Sequence, residues 1–234
     1  PLLNALADLK YTKPTTIQHK AFPVVMSGRD VVGIAQTGTG KTAAFSIPML
    51  QLMAQKPENG AHRIIKGLIV TPTRELAIQI GESIAAYGAN TDLRHTVIFG
   101  GVKQGRQTDE LHNGVDILVA TPGRLLDHVE QRTLQLGQVQ MLILDEADRM
   151  LDMGFMPDLK RILALLPKQR QNLMFSATFS TEIKKLSEEF LKDPLLVEVA
   201  RSNATNENVT QKVYHVAQDD KHALLAQILN ETET

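Results

Sequence analysis

The chain is 234 residues long and 43% apolar, with no cysteine and a formal net charge of −1. That apolar share supports a sizeable core in one large domain or two small ones, and the lack of cysteine excludes disulfides, thiolate metal sites and cysteine nucleophiles. No apolar run approaches the roughly 18 residues of a membrane-spanning helix, and with aromatics at only 4% any nucleic-acid partner is expected to be held by its phosphates rather than read by its bases.

The opening stretch, PLLNALADLK, has neither an initiator Met nor a secretion-type apolar region. The chain is therefore expected to be a trimmed piece of something longer, and its composition suits the cytoplasm. A helical pattern over 15–27 leads into an apolar run, DVVGIA, at 30–35. Helical patterns then alternate with apolar runs: 41–54, GLIV at 67–70, 74–87, HTVIF at 95–99, 104–112, DILVA at 116–120, 123–130, MLILD at 141–145, 158–166, NLMFSA at 172–177, 181–191 and LLVEV at 195–199. Strands this apolar, separated by helices, imply a mainly parallel sheet covered by helices on both faces. That is a doubly wound α/β domain over 1–200, with ligands bound at the carboxyl ends of the strands. The polar segment 201–211 reads as a linker. Residues 212–234, with a short strand KVYHV and a helical run DKHALLAQIL, read as the beginning of a second domain.

The stretch GIAQTGTGKTAAF from Gly33 to Phe45 lies between a strand and a helix. It fits two phosphate-binding patterns. The dinucleotide fingerprint G-x-G-x-x-A needs an acidic residue about 20 positions on, at the tip of the next strand, but that strand runs into Thr71 and Pro72. The triphosphate loop needs Lys and Thr after its last glycine, and Lys41 and Thr42 supply them. In that reading the main-chain N–H groups of Thr37, Gly38, Thr39, Gly40 and Lys41 cradle phosphates at a helix N-terminus. Lys41 reaches the β- and γ-phosphates, and Thr42 ligates magnesium. Ala35 stands where this pattern has its first glycine, which costs little if φ is negative there. The competing explanation, a flexible glycine-rich turn, leaves the full GTGKT unexplained.

MLILDEAD places Asp145, Glu146 and Asp148 at the tip of another apolar strand. An acidic turn opening a helix would also look like this. Beside a lysine loop, a strand-tip Asp is the second magnesium holder of a triphosphatase, and Glu146 is the group that positions or deprotonates the attacking water.

DEAD at 145–148 together with AQTGTGKT at 35–42 resembles the DEAD-box ATP-dependent RNA helicases. The first-lobe landmarks of that family follow in order: YTKPTTIQ at 11–18, PTRELA at 72–77, GG at 100–101, TPGR at 121–124 and SAT at 176–178. The resemblance covers nearly the whole chain, and LDEADRMLDMGF and QNLMFSATFS are most similar to the bacterial RhlE-like group. It implies a RecA-like lobe using ATP and magnesium, a second lobe elsewhere, RNA as partner and a monomeric protein. Tyr11, Lys13 and Gln18 are implied to hold adenine. Pro72, Thr73, Arg74, Gly100, Gly101, Thr121, Pro122, Gly123 and Arg124 are implied to hold RNA. Ser176 and Thr178 are expected to hydrogen-bond Asp148, and the resemblance implies that these three residues couple the two sites.

The chemistry of the residues can be set beside these implied roles. The Gln18 amide both donates and accepts, as adenine's edge requires. Arg74 and Arg124 fall in helix first turns, where the dipole disfavours cations, so the pattern reads as two phosphate clamps. The seven histidines show no ligand spacing and read as surface or ordinary residues. Two other readings remain: an ATP- and RNA-binding module without useful turnover, and a P-loop kinase or transporter ATPase, for which no phosphoacceptor site is visible.

Overall fold

The computed structural model describes residues 1–55, 63–199 and 212–231. The chain divides into two compact units, Pro1–Ala200 and Arg201–Thr234.

Among the described residues of the first unit seven strands form one sheet in the order β3-β4-β2-β5-β6-β1-β7. They are β1 (Val31–Ile34), β2 (Gly67–Val70), β3 (His95–Ile98), β4 (Ile117–Ala120), β5 (Met141–Leu144), β6 (Gln171–Ser176) and β7 (Leu195–Glu198). Every pairing is parallel. Each apolar run of the sequence is a strand, because a strand covered on both faces has no polar side to show. Alternate residues feed opposite layers. Val32, Leu68, Leu118, Leu142 and Met174 join the core under α6 (Pro122–Glu130), α8 (Met156–Ala164) and α9 (Thr181–Phe190). Val31, Ile69, Val119, Ile143 and Phe175 join the core under α2 (Thr16–Met26), α3 (Lys41–Ala54) and α4 (Arg74–Tyr87). α5 (Gly105–His112) follows β3.

Two helices go beyond the sequence pattern. α1 (Leu2–Asp8) buries only Leu2 and Ala5, too few anchors for a period to show. α7 (Ala147–Asp152) starts from Glu146, whose φ of 52° and ψ of 52° are left-handed, so it begins with a break rather than a cap.

In the second unit α10 (Lys221–Glu231) occupies the expected helical run, after a short 3-10 turn at Gln218–Asp220. The strand expected at KVYHV is absent. Residues 212–217 carry no regular structure, and Val213 and Tyr214 are exposed. A lone β-branched run has no ladder partner among the unit's described residues, and a strand is stable only when paired. The linker expected at 201–211 lies outside the described residues.

Sheet order sets the site. The loops after β1, β6 and β5 are neighbours at the carboxyl end of one half of the sheet. Those after β2, β4 and β3 are neighbours on the other half, and β5 pairs with β2 at the boundary.

Candidate functional site

β1 runs into residues 35–40, and α3 then begins at Lys41. Ala35 continues the extended chain, its N–H donating to Ser176 O at 3.0 Å. The left-handed positions of the loop are Gly38, with φ 83°, and Gly40, with φ 91°, so alanine is tolerated at 35. At Gly40 an added Cβ would lie 2.5 Å from Gln18 Nε2, which closes that position to larger residues. Thr39 folds the loop on itself, its hydroxyl donating to Gln36 O at 2.7 Å. Thr37 and Gly38 are exposed, Thr39 is partly buried, and Thr42 sits partly buried in the first turn of α3. Lys41 is only 8% exposed, and its Nζ has no hydrogen-bond partner among the described residues. A buried ammonium without a partner is costly, and phosphate oxygens would satisfy it.

Gln18 is a buried side chain rather than a surface residue of its helix. Its Oε1 accepts from Thr15 N at 2.9 Å, and its Nε2 donates to Gly40 O at 3.2 Å. Both ends of the amide that the sequence suggested for adenine are engaged, one as part of a capping box on α2 and one on the glycine loop. Gln18 still lines a cleft of about 380 Å³ with Tyr11, Lys13, Phe22, Pro23 and Ile47. Tyr11 is half-exposed at its mouth. Its hydroxyl lies 3.1 Å from that of Tyr87, with the rings edge to face at 5.9 Å. Tyr87, at the end of α4, is buried, and burial followed by the Tyr11 contact raises its pKa. Nothing in the sequence pattern singled it out.

Asp145 directly follows β5 and is 2% exposed. Glu146 N donates to Asp145 Oδ1 at 3.0 Å. Burial pushes the Asp145 carboxyl up to about 6, with the Lys41 ammonium pulling the other way. Both groups are buried, and the Lys41 charge acts on the Asp145 carboxyl. The left-handed turn at Glu146 costs of order 1–3 kcal/mol and is the kind of strain held at functional positions. The Glu146 Oε2 accepts from Arg149 Nη1 at 3.2 Å. Among the described residues no group of three or more His, Asp or Glu is placed to hold a metal alone.

Asp148 turns toward β6. Its Oδ2 accepts from Ala177 N, Thr178 N and Thr178 Oγ1, each at 3.1 Å. The expectation that Ser176 also bonds Asp148 is corrected. Ser176 Oγ instead accepts weakly from Thr178 N at 3.4 Å, because the last residue of β6 is fully buried in the sheet.

On the other half of the sheet, Thr73 caps α4, its Oγ1 accepting from Leu76 N at 3.3 Å. Pro72 is buried just before it, and Arg74 is exposed with its guanidinium 5.0 Å from the centre of the Phe99 ring. Thr121 precedes α6, with Pro122 buried in the first turn and Gly123 exposed. Gly100 and Gly101 are exposed, the latter with φ 81°. The two arginines differ from the paired clamps the sequence suggested. Arg124 points inward with a side chain 10% exposed, beside Asp127 at 3.6 Å. It donates to Gln107 Oε1 at 3.2 Å and Val102 O at 3.0 Å. One turn on, His128 is buried against Gln104 and Thr133 rather than on the surface, and burial followed by the Arg124 charge lowers its pKa.

With this geometry in place, comparison with known proteins agrees. A family model described as DEAD/DEAH box helicase matches residues 15–186. The chain is 43% identical over 233 residues to the ATP-dependent rRNA helicase RRP3 of Pyricularia oryzae, covering 99% of this chain and 42% of that protein. It is 44% identical over 217 residues to the ATP-dependent RNA helicase DeaD of Mycobacterium tuberculosis, covering 92% and 38%. The crystal structure of a DEAD box protein from the hyperthermophile Methanococcus jannaschii superposes with a TM-score of 0.78 at 37% identity, covering 97% of this chain and 60% of that one. The chain thus spans less than half the length of these curated relatives.

Proposed function

We propose that this chain, which belongs to the DEAD/DEAH box helicase family, is the first RecA-like lobe of an ATP-dependent RNA helicase. The observation that carries the reading is the buried Lys41 ammonium, without a partner among the described residues, whose charge acts on the buried Asp145. The residues fit Mg·ATP. Gly38, Gly40 and the N-terminus of α3 form the phosphate cradle, Lys41 meets the β- and γ-phosphates, and adenine enters the cleft between Tyr11, Lys13 and Gln18. Magnesium, held by Thr42 and Asp145, supplies neutralising charge on the phosphates when bound.

Glu146 is the base and Arg149 its charged neighbour. Glu146 accepts a proton from the attacking water, and burial strengthens the pull of Lys41 on the γ-phosphate. Asp148 and Thr178 tie the acidic turn to the loop after β6, which makes motion in one felt by the other. RNA lies across the strand tips of β2, β4 and β3. Arg74 and the open backbone at Gly100, Gly101, Thr121 and Gly123 hold its phosphates, and Arg124 acts through the loop it braces. Residues 212–234 begin a second lobe, reached through 201–211. That lobe supplies the arginine that phosphoryl transfer uses. Without it, the chain binds nucleotide and RNA with little turnover. The strings LDEADRMLDMGF and QNLMFSATFS support placement near the RhlE-like group, in a cytoplasmic, monomeric protein.

Calorimetric titration tests the nucleotide half. Mg·ATP should bind one to one, and Lys41→Ala should weaken it at least about tenfold, the loss of one charge-assisted contact. No saturable binding by the wild-type chain would overturn the proposal.

A further inference from the structure

We propose that Gln107, a residue no motif includes, is the positioning residue of the RNA-facing loop 99–102. The inference rests on the reading of that loop as a phosphate contact. Gln107 lies in α5, is 6% exposed, and uses both ends of its amide. Nε2 donates to Phe99 O at 3.1 Å, and Oε1 accepts from Arg124 Nη1 at 3.2 Å. The same guanidinium donates to Val102 O at 3.0 Å. The loop is thus held at its first residue by Gln107 and at its last by Arg124, and the two holders hold each other.

What the brace fixes is the crest between those points. Gly101 has φ 81°, and a Cβ at Gly100 or Gly101 would meet nothing within 4 Å. The crest therefore faces open space, and left alone a pair of glycines is the most costly backbone to order. Fixing both flanking carbonyls from below sets that cost aside before a ligand arrives, which is how preorganisation raises affinity. Phe99 extends the effect. Its carbonyl is held by Gln107 while its ring lies under the Arg74 guanidinium. The brace therefore also sets the height of the exposed Arg74 guanidinium. Gln107 itself touches no RNA.

Gln107→Glu and Gln107→Met separate this role from simple packing. The first keeps shape and a partner for Arg124 but places an oxygen against the Phe99 carbonyl. The second keeps length and removes both hydrogen bonds without burying a charge. A labelled oligouridine is titrated by fluorescence anisotropy across a salt series, with Mg·ATP affinity and the unfolding midpoint recorded for each protein. Both variants should bind the oligomer about tenfold more weakly, the effect of losing a buried hydrogen-bond partner, with nucleotide affinity unchanged. The slope of log K on log salt should stay that of the wild type, because no phosphate contact is removed. Arg74→Ala, run alongside, should lower that slope by about 0.7, the value for one single-strand phosphate. Wild-type affinity in both Gln107 variants overturns the proposal, and so does a reduced slope in them. A wild-type chain that does not bind the oligomer overturns the RNA reading itself, and the inference with it.

Discussion

Thr178 donates two hydrogen bonds to Asp148 Oδ2, one from its main chain and one from its hydroxyl, both at 3.1 Å. They join the acidic turn after β5 to the loop after β6, and these are adjacent strands of the sheet. The main-chain bond survives substitution, but the hydroxyl does not. Thr178→Val should therefore loosen the tie by about 1 kcal/mol, roughly a fivefold change in a two-state balance. In a protein carrying both lobes, strand displacement per ATP consumed should fall by about that factor, with nucleotide affinity unchanged. Equal displacement per ATP in the mutant would remove Thr178 from the coupling.

Glu146→Gln keeps size and hydrogen bonding and removes the base. Turnover in a two-lobe protein should drop on the order of 10²–10⁴-fold, with Mg·ATP affinity retained. Single-turnover phosphate release is the measurement, and a normal rate would free Glu146 of its role.

Asp145 gives a pH signature in the nucleotide-free chain. Burial pushes its carboxyl from 3.8 up to about 6 in the folded state. A raised folded pKa means the ionised form costs stability. Below about pH 4 both states are protonated and nothing is lost. Between about 4 and 6 the unfolded chain loses its proton first, so stability falls, and above 6 the full cost stands, of order 3 kcal/mol at most. Asp145→Asn should then raise the unfolding midpoint at pH 8 and leave it nearly unchanged near pH 4, while weakening Mg·ATP binding. A midpoint lowered at pH 8 would show that the carboxylate stabilises the apo fold.

Base selectivity tests the cleft. Gln18 holds Gly40 O with the same amide that borders the cleft, so base recognition and loop shape share one side chain. ATP should bind more tightly than GTP, and Gln18→Ala should weaken both while narrowing the difference. Equal ATP and GTP affinities in the wild type would take Gln18 out of base recognition.

The strands and the nucleotide loop were legible because their signals are local. A buried parallel strand is a short apolar run, and GTGKT carries its glycines, lysine and hydroxyl in consecutive positions. What escaped depends on distant partners. Gln18 meets Gly40 across 22 residues and Arg124 meets Gln107 across 17, and neither spacing has a period that a sequence displays. Arg124 in a helix first turn looked like an exposed clamp because the dipole argument ignores what lies beside the helix. Tyr87, Phe99 and Gln107 sit in ordinary strand and helix patterns, and only the packed loops give them roles. KVYHV has strand composition, but composition cannot supply a pairing partner.

Phosphate release with and without single-stranded RNA, compared between these 234 residues and the same residues joined to a second RecA-like lobe, tests the central claim most directly. The two-lobe protein should hydrolyse ATP faster when RNA is present. The 234 residues alone should show neither RNA stimulation nor strand displacement, because an arginine supplied by the closing lobe is worth about 10³–10⁵-fold. Hydrolysis by the two-lobe protein that is indifferent to RNA, or unwinding by the single lobe at a comparable rate, would contradict the account.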